Sequence, residues 1–189
     1  MKRALFLQRS PLRQPPPSFT SQTPQGATRT PAAALSTQKP EALLAILWGG
    51  FICGVLDITA ALVVYGSFGM QPVRLLQGIA GGLLGPRTFD GGLSTALLGL
   101  ACHFFIAFSA AAVYVAVGRS VPALLEHAFL SGPLYGIAVY FFMNRVVVQL
   151  SAATKYPFSV KMMLIGVVIH IFCVGTPIAL AARRFLLRG

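Results

Sequence analysis

Residues 93–117 read LSTALLGLACHFFIAFSAAAVYVAV, twenty-five positions with no Asp, Glu, Lys or Arg and one histidine, His103, near the middle. At a rise of about 1.5 Å per residue, a helix of this length crosses a hydrocarbon core of about 30 Å. Three other apolar runs are long enough, so four spans are expected, over about 42–65, 93–117, 124–149 and 162–182. Composition agrees: 56% hydrophobic residues, 10% charged and a mean hydropathy of +0.74 lie far outside the soluble range. The third run is the least clean, with Glu126 and His127 near its start and Arg145 near its end, where long side chains snorkel into the headgroups.

The net charge of +11 reads as topology. Lys2, Arg3, Arg9, Arg13, Arg29, Lys39, Arg119, Arg183, Arg184 and Arg188 fall on one side of the four-span scheme, and Arg74, Arg87, Arg145, Lys155 and Lys161 on the other. The positive-inside rule then puts both termini in the cytoplasm of a bacterium, or in the matrix if the membrane is the mitochondrial inner membrane. Basic ends also favour anionic lipid as a partner beside the bilayer itself. No nucleic-acid partner is expected, because no basic face is interleaved with aromatic side chains.

Residues 1–40 hold seven of the thirteen prolines and no acid, and have too little apolar content to offset chain entropy. They are expected to form a disordered, basic, Pro-rich tail ahead of a transmembrane domain over 41–185. An acid-free start bearing Arg, Ser and Thr also suits an organellar transit peptide. Cys53, Cys102 and Cys173 all fall inside spans, where thiols act as small apolar groups and an odd count argues against a disulfide framework. Between spans one and two, Pro72 suits a first helical position, and Val73, Leu76, Ile79, Ala80, Leu83 and Leu84 recur at helical spacing. A short interfacial or re-entrant helix is expected there, loosened by its glycines and ended near Pro86. The glycine cluster lacks the strand-to-helix setting of a phosphate-binding loop.

Two patterns occur twice. Gly50 to Gly54 and Gly132 to Gly136 are G-x-x-x-G pairs, and Gly99-x-x-x-His103-x-Phe105 and Gly166-x-x-x-His170-x-Phe172 share a G-x-x-x-H-x-F spacing. Small residues let helix backbones approach in lipid, so Gly50, Gly54, Gly99, Gly132, Gly136 and Gly166 are the expected packing positions. These stripes are expected to form the bundle interior, and a homo-oligomer is a further partner to be considered. Together the patterns suggest two related helical hairpins, repeated about an axis along the membrane normal.

Asp57, His103 and His170 are the candidate polar site, since a charge near the bilayer centre costs at least about 2.5 kcal/mol unless paired or wetted. Asp57 lies about 6 Å from the midpoint of its span and the histidines almost at theirs. Three readings stay open: a structural lock of hydrogen bonds with Thr59 or backbone carbonyls; a proton or cation relay; and a metal or haem site ligated by His103 and His170. Two histidines are too few for a closed zinc site, and no cofactor fingerprint is visible. Glu126 is expected to stabilise a helix N-terminus opened by Ser120 and Pro122. Arg145, Lys155 and Lys161 read as interfacial anchors.

The succession of a glycine-rich first span, a His-bearing second, a glycine-rich third and a G-x-x-x-H fourth closed by Arg183-Arg184 resembles small bacterial inner-membrane proteins of the YagU-like type, over about 42–185. The resemblance implies a multi-pass inner-membrane protein linked to acid stress and brings no catalytic residues with it. The expectation is a four-helix bundle that is not an enzyme, structural or stress-related, with a small transporter and a metal-binding protein as the alternatives.

Overall fold

The computed structural model describes residues 31–155 and 157–187, and among them no strand occurs. Helix α1 runs over Pro31–Ser67, α2 over Pro72–Leu84 and α3 over Gly92–Ser120. Helix α4 covers Ala128–Leu150 and α5 covers Val160–Leu186. Four helices are long and apolar enough to cross a membrane: α3, α4, α5 and the Pro40–Ser67 part of α1. The protein is therefore an all-α, four-helix membrane bundle with one short extra helix. Residues 1–30 of the expected tail lie outside the described residues, and α1 is helical from Pro31, inside the stretch assigned to that tail.

One span start differs from expectation. The chain makes a single helical turn at Ala123–Glu126 and leaves it at His127, whose φ of −101° and ψ of 41° are not helical. His127 Nδ1 donates to the Ala123 carbonyl at 3.1 Å, and Leu125 is buried against Gly118. Glu126 thus stands before α4, which begins at Ala128, instead of inside its first turn. Pro122 starts a turn that closes on itself, because burying Leu125 takes the chain off the line of the span.

Two helices contain a π turn, a wider loop of backbone with i to i+5 bonds. In α5 it spans His170–Gly175, where the Thr176 N–H donates to the Ile171 carbonyl and Thr176 Oγ1 donates to the same oxygen at 2.7 Å. Pro177 follows directly; it has no N–H to offer and its ring crowds the preceding turn, so the widened backbone relieves it. In α4 the π turn spans Met143–Val147, and Asn144 Nδ2 donates to the Tyr140 carbonyl at 2.9 Å.

Packing is uneven along the membrane normal. Beyond Ile58 in α1, beyond Gly136 in α4 and before Val174 in α5, no residue is buried. The core therefore fills the half that carries the described chain ends: Ala42, Ala45, Cys53, Ala111, Tyr114, Ile178, Ala179 and Ala182. In the loop-side half α2 covers the start of α3. A methyl at Gly99 would fall on the Leu76 carbonyl oxygen, so the α2 backbone lies directly on this glycine.

Candidate functional site

Helical spacing puts Cys53, Gly54 and Asp57 on one side of α1, and the side of α3 that meets it carries His103, Phe104 and Ala107. Gly54 has no side chain, so the α3 aromatics close over its backbone: a methyl there would sit 2.7 Å from the Phe104 ring. This close crossing brings His103 Nε2 to the Gly54 carbonyl at 2.8 Å. A carbonyl only accepts, so Nε2 carries the hydrogen and donates. His103 Nδ1 then faces Asp57 Oδ2 at 4.0 Å, with the two side chains 12% and 20% exposed.

That geometry has a chemical consequence. With Nε2–H committed to Gly54, a neutral His103 presents the lone pair of Nδ1 to an ionised carboxylate, and two acceptors face each other. One proton on Nδ1 turns the contact into an ion pair; one on the Asp57 carboxyl turns it into a neutral donor and acceptor. The pair also stands at the level where buried residues of α1, α4 and α5 give out.

His170 is placed otherwise. Its Nδ1 donates to the Gly166 carbonyl of its own helix at 2.9 Å, and its ring meets Tyr140 edge to face at 5.3 Å. Gly136 lies against its backbone, since a methyl at Gly136 would fall on the His170 carbonyl oxygen. Asp57 and His103 are brought together; His170 makes no hydrogen bond or ion pair with either. Among the described residues no three His, Cys, Asp or Glu side chains converge as a metal site. Thr59, a suggested partner of Asp57, instead donates to the Val55 carbonyl at 2.6 Å.

The glycine positions all meet neighbours, but different ones. Gly50 and Gly54 take the rings of Phe108 and Phe104; Gly132 and Gly136 take the backbone of α5 around Gly175 and His170; Gly99 takes α2 and Gly166 the Tyr140 ring. Phe105 is 73% exposed, an outward-facing side chain. Lys161, expected as an interfacial anchor, places its ammonium 5.1 Å from the centre of the Phe68 ring.

A second polar cluster escaped the sequence reading. Gln77, buried in α2, donates through Nε2 to the Gly92 carbonyl at 2.9 Å, and Thr88 Oγ1 donates to the Gln77 carbonyl at 2.9 Å. Thr95 Oγ1 donates to the Thr88 carbonyl at 2.7 Å, which closes the link from α2 to α3. Gln77 lies one position past the apolar Leu76 and three before Ala80, the only signal that a polar side chain shares the buried face. Comparison of the chain with protein-family models, curated proteins and solved structures finds no match.

Proposed function

We propose that this is a small proton-binding membrane protein in which Asp57 and His103 take up and release one proton, the elementary step of a proton- or cation-coupled transporter. The observation that carries the reading is the facing of His103 Nδ1 and Asp57 Oδ2 while Nε2 is held by Gly54. Lys and Arg counts, ten against five, favour both termini in the cytoplasm of a bacterium, or in the matrix if the membrane is mitochondrial. The YagU-like resemblance and its link to acid stress are consistent with proton uptake.

Infrared difference spectra of the reconstituted protein, recorded as pH is lowered, test the reading. A protonated-carboxyl or imidazolium band must grow in the wild type and be lost in Asp57→Asn. Pyranine-loaded proteoliposomes then report whether uptake leads to flux. Spectra unchanged by Asp57→Asn sink the proposal. The tight glycine crossings favour a second reading, in which the His103 bond to Gly54 is only a lock between α1 and α3; that reading expects no pH-dependent band at either residue.

A further inference from the structure

We propose that the groove between α1 and α5, in the half of the bilayer that carries the described chain ends, seats one acyl chain of an anionic phospholipid with its phosphate held by Arg184. The groove has a volume of about 460 Å³ and is lined by Trp48 and Ile52 of α1 and by Pro177, Leu180, Arg184 and Phe185 of α5. Pro177, Leu180, Ala181 and Arg184 stand at i, i+3, i+4 and i+7, so one stripe of α5 runs from apolar side chains to a cation. The opposite stripe, Ile178, Ala179 and Ala182, is buried in the bundle.

The groove follows from how the two helices meet. Gly49 lets α1 close on α5, with a methyl there 3.6 Å from the Ile178 Cα and 3.4 Å from the Ala181 Cβ. Backbones in contact leave the large side chains to either side, and Trp48 and Phe185 become walls. Thr176 also lines the groove, but its hydroxyl already donates to Ile171. Apart from the Trp48 indole N–H, the Thr176 hydroxyl oxygen and Arg184 itself, the lining is hydrocarbon, which suits an acyl chain.

The cation decides the headgroup. Arg183 and Arg184 are adjacent but point apart: the Arg183 guanidinium lies 5.9 Å from the centre of the Phe129 ring, while Arg184 is exposed at the groove. Arg184 makes no ion pair with a described residue. Its place in the last turn of α5 lets the guanidinium rise to the headgroup level, where a lipid phosphate offers a bidentate partner. A second groove in the same half, about 520 Å³ and lined by Tyr114, Leu124, His127, Ser131 and Tyr135, carries no Lys or Arg. Its tyrosine hydroxyls are turned inward, Tyr114 to Leu124 and Tyr135 to the Ala110 carbonyl. Only the first groove combines an acyl slot with a positive charge.

Trp48 is the one tryptophan in the chain and lies in this groove, which makes the protein its own probe. The full-length protein is reconstituted in zwitterionic vesicles doped with equal fractions of brominated-acyl phosphatidylglycerol or brominated-acyl phosphatidylcholine. Quenching of Trp48 is then compared. The anionic lipid is expected to compete about fivefold better for the site, the effect of one basic side chain near an anionic headgroup. Arg184→Gln should bring the two lipids level, and Arg119→Gln, which removes the same charge outside the groove, should leave the preference intact. Equal quenching in the wild type, a preference that survives Arg184→Gln, or an equal loss in Arg119→Gln overturns the proposal.

Discussion

The two hairpins carry the same spacing of glycine and histidine and use it differently. Between α1 and α3, Gly54 receives the ring of Phe104, and the His103 side chain reaches across to the Gly54 carbonyl. Between α4 and α5, Gly136 receives the backbone of His170 itself, and the His170 ring bonds back to Gly166. In the first hairpin the histidine is a bridge with one nitrogen left for Asp57. In the second it is a backbone contact with a side chain turned to its own helix and to Tyr140. A motif thus sets how closely two helices approach, while chemistry depends on which part of the residue fills the space.

The sharpest way to break that contrast is to add the same methyl to both crossings. Gly136→Ala meets a carbonyl that only moves with α5, and is expected to cost about 3 kcal/mol, at the upper end of overpacking. Gly54→Ala meets a phenylalanine ring that can turn, and should cost about 1 kcal/mol or less. Thermal midpoints in one detergent compare them; equal losses would mean the two crossings are alike after all.

Gly99→Ala extends the comparison to the third glycine crossing, where the Leu76 carbonyl is again backbone. A cost of about 2 kcal/mol is expected, with faster hydrogen exchange confined to α2 and the Gln77–Thr88–Thr95 link. Exchange that rises in α1 or α5 instead would show that α2 is not held mainly by α3.

The histidines come next. His103→Ala removes a bond between helices and should cost about 1 kcal/mol, within the range for interhelical hydrogen bonds in membranes, together with the acid-induced infrared band. His170→Ala removes a bond within one helix and should cost under about 0.5 kcal/mol while leaving that band in place. A band lost in both variants would join His170 to the site and erase the asymmetry.

The sequence was informative wherever a property is local. Long apolar runs with few charges give four spans, and an even number of spans returns the chain to the face it left. Pro72, at a position where a missing N–H does no harm, marks the start of α2 as expected. The small-residue stripes were legible too, since i and i+4 share a helix face whatever the helix meets.

Rotation and register of one helix against another were not legible, because they depend on every side chain at the crossing at once. His103 and His170 occupy the same place in their repeats, and nothing in the repeat says that one ring crosses to a neighbour and the other does not. Packing of Phe104 on Gly54 turns His103 toward Asp57, and the π turn before Pro177 brings the His170 backbone, in place of its ring, to Gly136. Local hydrophobicity and period determined the number, length and stripes of the helices; only the sum of tertiary contacts decided which acceptor faces which proton.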